Sequence, residues 1–253
     1  MTDPKGPSSR HRVGREVWAE REPNRNVPIP ARESVAPVFS CHQFHRLAAV
    51  TIPPSIALLL GGDSGTGKST VAAGLARDLQ LAHVRIDDLW VIARSLVGRD
   101  ALPAIHAFVD PHASLARPTE DTLRAFVDVM AALEPAIATA VRIHIARGEP
   151  CVIEGICLSP ALAARLRDSG SRAVFLVEDD AETIRRTMTR RADREWLGLS
   201  DGERTAAVAL GQRLDRWLRD ECVQYDLPTV PARPWHDAPQ RVLAAWAASP
   251  SFR

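Results

Sequence analysis

The chain has 253 residues, of which 45% are hydrophobic, which is enough for one large domain with a substantial core or for two small ones. A formal net charge of +1 argues against a surface that coats nucleic acid, and no apolar run is long enough to span a membrane. The N-terminus is too polar for a signal peptide, and the 4 cysteines lack a zinc-binding spacing, so we expect reduced thiols in a cytoplasmic protein.

Residues 1–36 are rich in Pro, Arg, Glu, Ser and Asn, and their prolines interrupt any regular element. This composition is typical of a flexible N-terminal extension, so we expect the folded domain to comprise residues 37–253. From about residue 55 onwards, strand-like apolar runs alternate with helix-like segments. The alternation predicts a three-layer α/β fold, in which helices cover both faces of a mostly parallel, five-stranded sheet.

The first predicted strand, Ser55–Leu60, leads into the segment Gly62-Asp63-Ser64-Gly65-Thr66-Gly67-Lys68-Ser69. This segment fits the pattern G-x-x-x-x-G-K-[ST] of the phosphate-binding P-loop, or Walker A motif. Its glycines allow amide N–H groups to turn inward, and the predicted helix that follows adds its positive end. We therefore expect Gly62 to Thr70 to bind nucleotide phosphates, with Lys68 at the β- and γ-phosphates and Ser69 on Mg²⁺. The alternative is a flexible Gly/Ser loop.

A second short strand, Val84–Ile86, ends in the pair Asp87-Asp88. Acidic residues at the carboxyl end of a strand lie at the crevice in which open α/β sheets bind ligands. One of the two aspartates is therefore a candidate to accept a proton from a substrate hydroxyl, or to hold Mg²⁺ through water. The alternative is that the pair only caps the following helix.

The segment Gly98–Pro118 contains three prolines and is predicted to be irregular, either as an acceptor-binding region or as a solvated loop. His106 and His112 do not have the spacing of a helical metal-binding pair. A long helix is then predicted to about Ala146, with Thr119 as its cap and a kink at Pro135.

The third strand, Cys151–Gly155, carries Glu154 near its end. This position favours a second acidic group near the phosphates, either on a magnesium-bound water or on the acceptor. The alternative is a simple Glu-Gly turn. A helix from Ala161 to Asp168 and a strand, Ala173–Val177, are predicted to follow.

The helix from Ala181 to about Trp196 carries Arg186, Arg190 and Arg194 four residues apart, so that they share one face. The acids expected near this row are Asp193 and Glu195. The row indicates a lid that closes over the transferring phosphoryl group, and the alternative is a solvated helix face.

The C-terminal part of the chain is predicted to contain three regular elements: a helix over Ser200–Cys222, a strand over Leu227–Val230 and a closing helix over Pro239–Ala248. The loop Pro231–His236 is a candidate to contact the nucleotide base. Its Trp235 would either stack on adenine or pack in the core.

The order of these features resembles the P-loop small-molecule kinases. Within them, Val152–Pro160 is similar to a segment of the 2-phosphoglycerate kinase group, in which Glu-Gly precedes a His-Leu pair and a proline. The resemblance covers about residues 55–235 and implies that 37–253 is a kinase domain. It also implies ATP and Mg²⁺ as cofactors and phosphoryl transfer to the hydroxyl of a small-molecule acceptor. From the charge and the lack of a membrane span, we expect neither nucleic acid nor membrane as a partner.

The resemblance also implies roles for single residues. It makes Asp87 the catalytic aspartate, with Asp88 beside it, and Glu154 an acidic contact to the substrate. It makes Arg186 and Arg190 the arginines of the lid. Two positions near the expected acceptor site depart from the family pattern, since Cys157 replaces a common His and Trp90 replaces a common Arg.

An alternative function is an ATP-binding regulatory or switch protein of the P-loop class without kinase turnover. A GTPase would need an Asn-Lys-x-Asp base-reading motif, and a motor ATPase would need a hydrophobic run ending in Asp-Glu. The sequence contains neither. The identity of the acceptor does not follow from the sequence.

Overall fold

The computed structural model describes residues 56–191 and 198–248. The predicted extension 1–36, Cys41 and Arg194 lie outside these residues. Five strands form one sheet in the order β2-β3-β1-β4-β5, and each neighbouring pair is parallel. The strands are β1 (Ala57–Gly62), β2 (Ala82–Arg85), β3 (Cys151–Glu154), β4 (Ser171–Val177) and β5 (Thr229–Pro231).

The described helices are α1 (Lys68–Asp78), α2 (Asp87–Leu96), α3 (Pro111–Leu115), α4 (Thr119–Arg147), α5 (Pro160–Leu166), α6 (Ala181–Arg191), α7 (Asp201–Gln224) and α8 (Ala238–Ala248). Short 3₁₀ helices span Pro103–His106, Arg167–Ser169 and Trp235–Asp237. None of the helices in these described ranges combines the length and the apolar character that crossing a membrane requires.

Alternate residues of the central strands divide the core into two layers. Leu59, Ile153 and Phe175 pack with apolar residues of α4, α5 and α7 on one face of the sheet. Leu58, Leu60 and Val152, among others, pack with α1 and α8 on the opposite face. Because both faces are covered, the central strands are mostly apolar, as parallel strands usually are. The prediction of a three-layer α/β fold with a parallel five-stranded sheet is confirmed.

Two predictions of local structure are wrong. Thr119 does not cap α4: the N-cap position is Pro118, no side chain caps it, and Thr119 is the first helical residue. The segment 98–118 is not irregular throughout, because it contains a 3₁₀ helix and α3. Helix α3 forms there because the Asp110 side chain accepts hydrogen bonds from two backbone N–H groups of the first turn, where Pro111 also favours a helix start.

The start of α7 carries a full capping box. Ser200 Oγ accepts a hydrogen bond from the Glu203 N–H, and Glu203 Oε2 accepts one from the Ser200 N–H. This reciprocal pairing satisfies N–H groups that a helix end otherwise leaves without a partner. It fixes the end of α7 that lies next to the candidate site described below.

Candidate active site

The glycine-rich loop follows β1 and closes on itself. Gly62, Gly65 and Gly67 have φ angles of 142°, 85° and 85°, which L side chains rarely adopt. Within the loop, the Asp63 carbonyl oxygen accepts a hydrogen bond from Thr66 Oγ1 at 2.8 Å and another from Lys68 Nζ at 3.3 Å. Lys68 is only 6% exposed, so its ammonium group is held against the loop rather than in solvent.

Two other elements press on this loop. A Cβ on Gly65 would lie 3.0 Å from Thr187 Cγ2 of α6, and a Cβ on Gly67 would lie 3.0 Å from Trp235 Nε1. The loop is therefore covered by the helix that carries the predicted lid arginines and by the segment after β5. The glycines are required here both for their backbone angles and for these close approaches.

Ser69 and Thr70 are exposed in the first turn of α1. In the part of the chain that the structure describes, no group of three or more His, Cys, Asp or Glu side chains is arranged to hold a metal ion. Ser69 stays the predicted protein ligand of Mg²⁺, an ion that usually takes most of its ligands from phosphate and water. His106 and His112 are engaged elsewhere, with the Val97 carbonyl oxygen and with the Glu203 carboxylate.

Asp87 follows the carboxyl end of β2, in the first turn of α2, and its side chain joins the start of α2 to the loop after β3. Its Oδ1 accepts hydrogen bonds from the backbone N–H groups of Ile156, at 2.8 Å, and of Cys157, at 3.4 Å. A Cβ on Gly155 would lie 2.5 Å from the same oxygen, so only glycine fits there. The N-cap of α2 is Ile86, with no side-chain cap, so capping does not explain Asp87.

Asp88 stands in a different environment from its neighbour. Its side chain is 61% exposed and lies 3.9 Å from Arg85 Nη2 as an i,i+3 ion pair. Such a solvated pair is worth little to stability. Of the two aspartates, Asp87 is the one that the structure fixes against the loop after β3.

Glu154 ends β3, directly opposite Leu60 of β1, and is 1% exposed. Its Oε1 lies 3.7 Å from Arg85 Nε and 3.8 Å from His83 Nε2. Among the described residues its other oxygen, Oε2, is buried and has no hydrogen-bond partner. A buried acceptor of this kind usually has a partner, so Glu154 fits a bound water or another polar ligand near the phosphate site.

Cys157 is fully buried immediately after this strand. Burial raises the pKa of its thiol well above the usual range; the Asp87 carboxylate raises it further, and the Lys68 ammonium lowers it. Both charged groups therefore lie within electrostatic reach of one thiol, which places Asp87 and Lys68 in the same neighbourhood. The thiol itself stays protonated and packs in the core rather than acting as a nucleophile.

Arg186 of α6 is 60% exposed, and its Nε lies 3.7 Å from Glu182 Oε1. The prediction that the acids near the arginine row are Asp193 and Glu195 therefore needs correction, because Glu182 lies one helical turn earlier. Arg190 is a residue of the same helix, but its side chain lies outside the description, as do residues 192–197. The role of Arg186 and Arg190 in a lid stays a prediction.

Sequence reasoning missed Arg233. Its guanidinium group stacks 3.4 Å from the centre of the Trp235 ring, donates a hydrogen bond to Thr187 Oγ1 at 2.7 Å and lies 3.4 Å from Glu178 Oε2. Arg233 thus links the segment after β5 to α6, directly above the loop. One face of Trp235 is covered by this arginine and is closed to a nucleotide base. The only signal in the sequence was the Arg-x-Trp spacing.

A cavity of about 230 Å³ opens beside the loop, and Asp63 and Ser64 form one of its walls. The remaining walls come from six other segments of the chain: α2, the stretch around Phe108, α4, the loop after β3, α6 and α7. Trp90 and Ile156 belong to these walls, so the cavity borders the loop that Asp87 holds. Sequence reasoning named Trp90 but did not assemble this cavity.

No protein-family model matches the sequence, and no curated protein matches it. Among solved structures, a gluconokinase from Sinorhizobium meliloti 1021 is 18% identical, with a TM-score of 0.45 over 78% of this chain and 94% of its own. A shikimate kinase from Bacteroides thetaiotaomicron is 14% identical, with a TM-score of 0.40 over 75% and 96%. The YorR protein of Bacillus subtilis, in complex with phosphorylated GDP, is 14% identical, with a TM-score of 0.35 over 74% and 94%.

The first two of these proteins are named as small-molecule kinases, the class that the sequence resembles. Likeness at this identity and TM-score assigns neither an activity nor a substrate to this chain. The nearer resemblance, to the 2-phosphoglycerate kinase group, stays a prediction.

Proposed function

We propose that the protein is an ATP-dependent kinase that transfers the γ-phosphoryl group to a hydroxyl of a small molecule. The observation that supports the proposal is that Asp63 and Ser64 belong to the P-loop motif and also line the adjoining cavity. A phosphoryl group held in the loop would therefore face a molecule held in the cavity, without a long movement of either.

The loop would hold the phosphates through its backbone N–H groups and the start of α1, with Lys68 at the β- and γ-phosphates. Ser69 is the proposed ligand of Mg²⁺, and Glu154 is the proposed acceptor for a water on that ion, because its Oε2 is buried without a partner among the described residues. When bound, Mg²⁺ would neutralise charge on the phosphate oxygens.

Asp87 is the proposed general base. Hydrogen bonds from the N–H groups of Ile156 and Cys157 fix its carboxylate against the loop whose Ile156 lines the cavity. As the acceptor oxygen bonds to the γ-phosphorus, the bond to the leaving ADP breaks and the hydroxyl proton moves to the Asp87 carboxylate. Arg186 and Arg190 are proposed to spread the developing charge when α6 closes, since Thr187 of the same helix already contacts Gly65.

The test is ADP release with Mg-ATP, with and without a pooled extract of small metabolites. We expect extract-dependent release from the wild type and a loss of about 100-fold in Asp87→Asn, with ATP binding retained. Asp88→Asn is the matched variant, and we expect it to lose far less turnover, because the Asp88 side chain is exposed and forms a solvated ion pair with Arg85. Slow release that responds to neither the extract nor Asp87→Asn would contradict the proposal and favour an ATP-binding switch protein.

A further inference from the structure

The cavity beside the P-loop has walls of a particular chemistry. Most of its described lining is apolar, and three aromatic rings dominate one side: Trp90, Phe108 and Phe126. Their centroids lie 6.2 Å apart for Trp90 and Phe108, 6.1 Å for Trp90 and Phe126, and 5.6 Å for Phe108 and Phe126. All three contacts are edge-to-face, so the cluster can receive a further ring with favourable geometry.

The cluster is fixed rather than adaptable. Trp90 Nε1 donates a hydrogen bond to the Ile105 carbonyl oxygen at 2.7 Å, so the polar atom of the indole is already satisfied. Phe126 is 6% exposed and packs within the main core layer. A polar acceptor placed against these rings would lose its hydration without gaining hydrogen bonds, which disfavours sugars.

The described lining of the cavity contains no lysine or arginine side chain. Asp63, its acidic residue, is 7% exposed, lies at the P-loop end and also faces Gly211 of α7, where an added Cβ would be 2.9 Å from its Oδ2. A carboxylate or phosphate placed against the aromatic rings would lose its hydration, and this described lining offers no cation to replace the lost water. Hydroxy acids are therefore disfavoured as well.

The cavity is large enough for an aromatic ring. An apolar cavity of about 150 Å³ is enough to hold benzene. At about 230 Å³, this cavity can hold one ring with a short substituent. The polar end of the space lies at Asp63 and Ser64, next to the phosphates, which is where a hydroxyl must lie for transfer.

We propose that the acceptor is an uncharged alcohol carried by a single flat apolar ring, with its ring against Trp90, Phe108 and Phe126 and its hydroxyl at Asp63 and Ser64. This inference rests on the proposed kinase function and specifies its substrate class. It agrees with the position of Trp90, where the family that the sequence resembles often has an arginine.

The methionines allow a direct test, because the chain has 3 of them. Met188 lines the cavity, whereas Met130 lies 1% exposed in the core and serves as an internal control. The full chain, carrying ¹³C-methyl methionine, Mg²⁺ and a non-hydrolysable ATP analogue, is titrated with benzyl alcohol and separately with glycerate. We expect the Met188 methyl resonance to shift and saturate with benzyl alcohol, to stay in place with glycerate, and Met130 to move much less.

Ala207 also lines the cavity, so Ala207→Phe should fill it and weaken the benzyl alcohol effect about tenfold or more. Ala136→Phe, at an exposed position of α4, is the matched control and should bind as the wild type does. A Met188 response to glycerate instead of benzyl alcohol would overturn the inference. An unchanged benzyl alcohol response in a folded Ala207→Phe would overturn it too.

The readout is binding and not turnover, so the two proposals fail separately. Saturable binding of benzyl alcohol without any acceptor-dependent ADP release would contradict the kinase function and leave the apolar site standing. Phosphorylation of glycerate, with no Met188 response to benzyl alcohol, would contradict the substrate class and leave the kinase function standing.

Discussion

The glycine-rich loop and the cavity beside it share Asp63 and Ser64, yet they are built in opposite ways. The loop is one unbroken segment, Gly62 to Ser69, and the groups predicted to bind a ligand there are mostly backbone N–H groups. The described lining of the cavity comes from seven separate parts of the chain, and its apolar character comes from side chains such as Trp90, Phe108 and Phe126. Phosphate is the same ligand in every nucleotide, so one local pattern suffices, whereas an acceptor is recognised by a three-dimensional set of side chains.

The largest expected effect is on turnover, and it comes from a substitution that should change the loop but not the cavity. Lys68→Ala removes the ammonium group that lies against the loop at Asp63, and we expect turnover to fall by about 1,000-fold because a charge partner of the transferring phosphoryl group is lost. The cavity should be unaffected, so the Met188 response to benzyl alcohol should persist. Loss of both properties in a folded variant would show that the two regions are not independent.

Gly155→Ala tests the contact between the start of α2 and the loop after β3, where Asp87 accepts hydrogen bonds from that loop. An added Cβ would lie 2.4 Å from Ile86 Cγ1 and 2.5 Å from Asp87 Oδ1, so we expect destabilisation by about 1–3 kcal/mol and a clear loss of turnover. Denaturant unfolding measures the first effect and ADP release the second.

The control for Gly155→Ala is Gly74→Ala, in the interior of α1 with nothing within 4 Å of the added Cβ. It should stabilise the protein by about 0.5–1 kcal/mol, because alanine is the better helix former. If both substitutions change the free energy of unfolding in the same direction, the proposed crowding at Gly155 is wrong.

A smaller effect is expected on the nucleotide side from Arg233→Lys. Lysine keeps the charge but loses the planar stack on Trp235 and the fixed hydrogen bond to Thr187. Stacking of this kind is worth about 0.5–1 kcal/mol, so the KM for ATP should rise by a few fold while acceptor binding stays constant. An equal rise in the KM for ATP and in the Kd for the acceptor would contradict the prediction that Arg233 acts on the loop alone.

These cases also mark how far the sequence can be interpreted. The P-loop, the alternation of strands with helices and the position of the acid Glu154 near the end of a strand were predictable, because each follows from short runs with a strong local pattern. Asp87 was predictable as a candidate, but its bonds to Ile156 and Cys157 were not, since the partners lie about 70 residues away. The contact of Phe126 with Phe108 and Trp90 was not predictable either, because it depends on how α4 packs against α2.

The smallest expected effect is on stability and depends on pH. His112 Nδ1 of α3 and Glu203 Oε1 of α7 lie 2.7 Å apart. Glu203 raises the pKa of His112 above its ordinary value of 6.5. Hydrogen bonds, first from Ser200 and then from His112, lower the pKa of Glu203 to about 2. The histidine contribution is full below pH 6.5 and is lost as the pH rises through its raised pKa. The glutamate contribution is full above pH 4.5 and is lost as the pH falls toward 2.

The pair should therefore stabilise the protein most between pH 4.5 and 6.5. An NMR titration of His112 should give a pKa above its ordinary value, and His112→Gln should lower Tm slightly at pH 5.5 but not at pH 9. A normal His112 pKa would contradict the pair, and turnover at fixed pH should not respond to this exposed contact.

The central claim is that a phosphoryl group bound in the loop is passed to a molecule in the cavity. The most direct measurement follows a labelled γ-phosphoryl group from ATP in the presence of a metabolite extract, for the wild type and for Ala207→Phe. We expect the label in an organic phosphate with the wild type, and its loss in Ala207→Phe although ATP still binds. Label found only as inorganic phosphate, or organic label that is unchanged when the cavity is filled, would contradict the claim.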